Sequence, residues 1–194
     1  MTVSPWGAFA LVSYLPDPLG SLLDQFRRSF SGSDQAQAHI TLLPPRTLPV
    51  PLEIASEQAS KILSVFHSFE VELDAVRRFP VTNVLYLGIS AGNNEIRNLH
   101  DALNAGGLTA DEQFEFQPHL TLGGPFPELL DSAEAAVSDA WQKIDIPKRF
   151  HLDEVVALWA TPAGASQDAW SRVWAHTLRP APYKTGVAAI GRTS

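Results

Sequence analysis

The sequence has no cysteine, which excludes disulfides and every zinc site built on thiolates. It has no apolar run near the roughly 18 residues that span a bilayer. It also lacks a basic excess: 14 Lys and Arg stand against 21 Asp and Glu, for a formal net charge of −7. Proteins that hold long nucleic acids neutralise phosphates with a basic stripe. Here the nearest features are the pairs Arg27-Arg28 and Arg77-Arg78. A small substrate is therefore expected, with no long nucleic acid and no membrane as partner. The N-terminal WGAFALVSYL lacks the basic flank and small-residue cleavage site of a signal peptide. It is read as a first buried strand, and the protein as a cytoplasmic monomer.

What is present is ordinary globular material, 45% hydrophobic and 18% charged. Gly7 to Tyr14 has the pattern of a strand, and Leu19, Leu22, Leu23, Phe26 and Phe30 recur at helical spacing. Ala38 to Leu43 is a strand ended by Pro44-Pro45. Leu52, Ala55, Ile62, Leu63 and Phe66 mark a second helix, and residues 69–75 alternate as a half-buried strand. The order then repeats. Residues 83–90 form a strand, and Asn93 or Asn94 caps a helix carrying Ile96, Leu99 and Leu103. Residues 116–123 form a strand, and a helix carries Leu130, Ala133, Val137, Trp141 and Ile144. Strands over 150–160 and 170–178 close the chain. The expected architecture is α+β: a single bilobal domain over 1–179, with lobes of roughly 1–80 and 81–179 able to exchange terminal strands. Two mostly antiparallel sheets face a central cleft, with helices outside. The tail, 180–194, is expected to be loosely held.

Two segments stand at the same place in each repeat, QAHITLLPPR at 37–46 and QPHLTLGG at 117–124. In a strand, residues i and i+2 share a side. His39 and Thr41 therefore share one face and His119 and Thr121 another, opposite the apolar residues between them. If a pseudo-two-fold axis brings these faces together, two imidazoles and two hydroxyls surround one small group. One imidazole can take a proton from water while the other protonates a departing oxygen. The threonine hydroxyls can hold non-bridging phosphoryl oxygens. This is chemistry for cleaving a phosphodiester with no cofactor and no metal. The residues alone do not say which histidine is acid and which base.

With these motifs the sequence resembles the 2H phosphoesterase superfamily, and within it the branch of 2′-5′ RNA ligases and RNA 2′,3′-cyclic phosphodiesterases. AHITLLPP and PHLTLGG match the two His-x-Thr signatures. FPVTNVLYLGIS is similar to the strand that opens the second lobe, and EVVALWATPAGASQDAWSRVWAHTL to the C-terminal strand pair. The resemblance implies a bilobal fold with a central cleft and metal-independent hydrolysis of 2′,3′-cyclic phosphates on nucleotides or short RNA ends. It implies His39 as acid, His119 as base, and Thr41 and Thr121 as phosphate ligands. Members acting on RNA ends commonly carry an arginine soon after the second motif, where this chain has Gly123-Gly124-Pro125. Ligation and long-RNA binding are accordingly not expected. Arg46 is the candidate replacement cation. The alternative reading is a non-catalytic or ligase-like binder of 2′-5′-linked or phosphorylated nucleotides.

Other candidates are weaker. Tyr14, Tyr86 and Trp159 could stack on a base at the cleft edge. His67 is placed at a helix end and His100 on a partly exposed helix flank, while His151 and Asp153 share a strand face. None has metal-ligand spacing. Gly88-Ile89-Ser90-Ala91-Gly92 fits G-x-S-x-G, with Asp153 and His176 following in triad order. No oxyanion segment accompanies it, and a serine hydrolase would leave the paired His-x-Thr motifs unexplained.

Overall fold

The computed structural model of the chain describes residues 7–31, 36–126, 131–160 and 170–181. The expected tail lies outside them from residue 182 onward, as does the helix position Leu130. The elements run β1 (Ala8–Tyr14), α1 (Leu19–Ser31), β2 (His39–Arg46), α2 (Leu52–Leu63), β3 (Phe69–Arg78), β4 (Leu85–Ile89) and α3 (Asn93–Leu103). A 3₁₀ turn at Gly106–Leu108 follows, then β5 (Leu120–Gly123), α4 (Asp131–Gln142), β6 (Arg149–Leu152), β7 (Glu154–Ala160) and β8 (Trp170–Thr177). Two four-stranded antiparallel sheets result, ordered β2-β1-β7-β8 and β5-β4-β3-β6. Each sheet is thus built from both halves of the sequence. No helix of the described residues is long and apolar enough to cross a membrane.

Alternation along the strands sends Phe9, Leu11, Ile40, Leu42, Leu87, Leu120 and Leu122 into one apolar core with the helices' buried faces. Each such side chain contributes about 1.5–3 kcal/mol when fully buried. Trp141 anchors α4 there and donates its indole N–H to the Asp74 carbonyl at 2.9 Å.

Several boundaries differ from the expectation, each for a local reason. The strand β2 runs through Pro44-Pro45 to Arg46. It is an edge strand, so the missing proline N–H groups have no ladder partner to lose. The predicted strand over 150–160 breaks at Asp153, where the chain leaves one sheet (β6) for the other (β7). Neither Asn93 nor Asn94 caps α3. Gly92 occupies that position with φ 82°, and a Cβ there would stand 2.7 Å from the Glu70 carbonyl oxygen. The side chain of Asn93 instead accepts from Arg97 Nε at 3.1 Å.

Candidate active site

The two motif strands, β2 and β5, are the edges of different sheets, and those edges lie against one another. The antiparallel register pairs Tyr14 with His39 and Val12 with Thr41, placing all four on one face of the first sheet. In the second sheet Thr121 pairs with Tyr86. Only residues 120–123 of the predicted strand over 116–123 join the ladder. The carbonyls before them are engaged elsewhere: Phe116 accepts from Arg97 Nη1 at 2.6 Å, and Gln117 accepts from the ring of His119. Pro118 has no N–H to donate.

Both histidines are oriented in the same way. His39 Nδ1 lies 2.7 Å from the carbonyl oxygen of Gln37, and His119 Nδ1 lies 2.7 Å from that of Gln117. A carbonyl only accepts, so Nδ1 carries the proton in each ring, and Nε2 is the nitrogen left to exchange one. The carboxylate of Asp24 on α1 accepts the Ala38 N–H at 2.7 Å and fixes the start of the first motif. The glutamine two residues before each histidine is visible in both segments as a repeated Gln-x-His-x-Thr. Its role passes through a main-chain carbonyl, so side-chain chemistry gave no reason to select it.

The rings sit in aromatic surroundings. Tyr14 meets His39 edge-on at 6.0 Å, and Phe79 and Tyr86 do the same to His119 at 5.0 and 5.4 Å. Phe79 stacks on Tyr86 at 4.1 Å, and Gln117 Nε2 donates to the Tyr86 hydroxyl at 2.9 Å. Burial lowers the pKa of both histidines below the ordinary value, and the bond to the glutamine carbonyl opposes it. At His39 the nearby Arg27 lowers it further, with Asp24 acting the other way; at His119 the charge of His39 lowers it further. Tyr14 is pushed up by burial, partly offset by Arg172. It is therefore a neutral phenol at working pH.

Thr41 and His119 open onto a cavity of about 620 Å³. Its walls are the 79–82 segment and the 110–117 loop. Sequence reasoning missed that loop, whose Phe114 and Phe116 carry no motif.

Arg46, the candidate replacement cation, is not an available phosphate ligand. It is 6% exposed and donates to Pro44 O at 3.0 Å, Asn104 Oδ1 at 2.7 Å, Leu108 O at 2.8 Å and Glu112 Oε1 at 2.5 Å. The same Glu112 oxygen is 3.0 Å from His100 Nε2. His100, expected on a partly exposed flank, is buried and stacked on Phe116 at 3.7 Å. Together these residues tie the loop to the end of β2.

Trp159 lies on the opposite face of the first sheet, beside Phe9 and over Gly7, and does not reach the cleft. His67 lies beyond the end of α2 in a bridge with Arg179. Ser90 bonds to the carboxylate of Glu72 at 3.2 Å, and His176 belongs to the other sheet, so the residues of the G-x-S-x-G reading do not form a triad.

Residues 15–163 match the 2′-5′ RNA ligase superfamily, and the chain belongs to that family. A Geobacillus kaustophilus protein named as a phosphoesterase is 23% identical over 157 residues, covering 76% of this chain and 83% of its own. The fold is shared with Escherichia coli LigT. Its structure with phosphate superposes with a TM-score of 0.62 at 18% identity, covering 91% of this chain and 99% of LigT. LigT has also been crystallised with 3′-AMP, and that structure matches with a TM-score of 0.57 at the same identity and coverage. The chain is thus a member of a phosphoesterase family with the LigT fold.

Proposed function

We propose that this protein is a metal-independent phosphodiesterase acting on the 2′,3′-cyclic phosphates of nucleotides or short RNA ends. The observation that carries the reading is the matched pair of Gln-x-His-x-Thr segments on two abutting edge strands. Each has Nδ1 tied to a carbonyl and Nε2 left to exchange a proton. In this reading His119 Nε2 accepts a proton from water as its oxygen bonds to phosphorus. The bond from phosphorus to one ribose oxygen breaks, and His39 Nε2 gives its proton to that oxygen. The product is a nucleoside monophosphate, and the two histidines have exchanged protonation states. Thr41 and Thr121 hold the non-bridging oxygens, where charge develops.

The cavity beside His119 is of a size to take a nucleoside, and the 3′-AMP complex of LigT supports a small nucleotide as ligand. The test is chromatography of each 2′,3′-cyclic nucleotide after incubation with the protein. Accumulation of a single monophosphate isomer is expected. Intact substrate with all four bases would remove the reading.

A further inference from the structure

The cavity beside the imidazoles has a charge pattern that bears on which phosphodiesters fit. Its walls present Phe79, Pro80, Val81, Phe114 and Phe116, with Val81 74% and Phe114 54% exposed. Such surface gains by covering an uncharged, apolar-faced group. The charged residues lining it are one guanidinium and three carboxylates, Arg46 against Asp111, Glu112 and Glu115. Arg46 is buried with its donors committed to four protein acceptors, and Glu112 is held between it and His100. Asp111 remains exposed at the lip, and Glu115, also exposed, is paired with Arg97. Arg97 stands behind the loop, bonded to the Phe116 carbonyl at 2.6 Å and 3.4 Å from Glu115. On the His39 side the nearby arginines are likewise engaged. Arg27 bonds to Asp24 and the Ala36 carbonyl, and Arg172 is 3.3 Å from Glu154.

We infer that this cavity receives the neutral nucleoside of a substrate bearing one phosphate, and that the exposed Asp111 carboxylate at its lip disfavours substrates carrying a second. The inference rests on the phosphodiesterase reading above and adds the charge class of its substrate. A phosphate at the 5′ position would leave water to face the Asp111 carboxylate, Glu115 being already offset by Arg97, with no uncommitted cation among the described lining residues to receive it. Repulsion between like charges across a partly solvated cleft changes affinity by about tenfold and weakens with salt.

The experiment compares a 2′,3′-cyclic nucleotide having a 5′-hydroxyl with the same molecule having a 5′-phosphate. The wild-type protein should favour the 5′-hydroxyl by about tenfold in kcat/KM at low salt, and less at about 0.5 M salt. The Asp111→Asn protein, which leaves the Arg97–Glu115 pair intact, should reduce that ratio, and its melting curve shows whether it is folded. Equal use of both substrates, or a ratio unmoved by salt and by Asp111→Asn, would overturn the inference. Calorimetric binding of 3′-AMP against adenosine 3′,5′-bisphosphate gives the same ratio without turnover. Discrimination in binding with no hydrolysis would sink the phosphodiesterase reading and leave the charge selection standing. Absence of any nucleotide binding would remove both.

Discussion

Both imidazoles hold a proton less readily than histidine in water, because burial penalises the charged form, with Arg27 adding to the cost at His39 and the charge of His39 adding to it at His119. Acid-base hydrolysis needs one of them protonated and one neutral. The rate therefore falls as pH rises past the higher of the two lowered values, and again as pH falls past the lower. A profile of kcat/KM against pH should peak on the acid side of about 6.5, the unperturbed histidine value. The bound phosphodiester anion favours imidazolium, so kcat alone should peak at higher pH. An optimum for kcat/KM above neutrality would contradict the electrostatics. Thr41→Val and Thr121→Val remove one donor each and should lower kcat by about tenfold or more with little change in the melting temperature. This is checked by steady-state kinetics beside thermal unfolding. The histidines and threonines were legible in the sequence because strand periodicity and repetition select them. The carbonyls that fix the tautomers were not, since any residue could supply them.

At the scale of elements, the 110–117 loop depends on a buried ion pair. Replacing Arg46 by alanine leaves Glu112 without its guanidinium partner and removes the bonds to Asn104 and the Leu108 carbonyl. Breaking such a pair costs about 3–5 kcal/mol. Urea unfolding of Arg46→Ala should show that loss, and a rise in KM larger than the fall in kcat should show the loop displaced from the cavity. Stability within about 0.5 kcal/mol of wild type would refute the clamp. Gly92→Ala is expected to destabilise by about 1–3 kcal/mol, because φ is 82° and the new Cβ meets the Glu70 carbonyl. Most helices and strands could be read from 3.6- and 2-residue periodicity. Their ends could not where tertiary context decided them. An edge position let β2 continue through Pro44-Pro45, and a change of sheet split the strand at Asp153. Arg46 likewise looked like a cation available to a phosphate because its four acceptors come partly from residues about 60 positions away.

At the scale of the molecule, the same lowered histidine values tie stability to pH. The unfolded chain binds protons at His39 and His119 at a higher pH than the folded one does. Stability from this source is complete above about 6.5 and declines as pH falls toward the folded values. Melting temperatures should drop on acidification through this window, and the drop should be smaller when both histidines are replaced. The two-sheet architecture was legible as a duplicated strand-helix order. The distribution of strands between sheets was not, because it rests on pairings between strands far apart in the sequence, β3 with β6 and β1 with β7.

The central claim is that two histidines cleave a cyclic phosphodiester by proton transfer. It is tested most directly by ³¹P NMR of a 2′,3′-cyclic nucleotide with the protein in EDTA, beside His39→Ala and His119→Ala. The account predicts that the cyclic signal converts to that of one monophosphate isomer. It predicts that each substitution slows this by about 10²–10⁴-fold while the protein stays folded. Turnover that is abolished by EDTA, or that survives loss of either histidine, would contradict it.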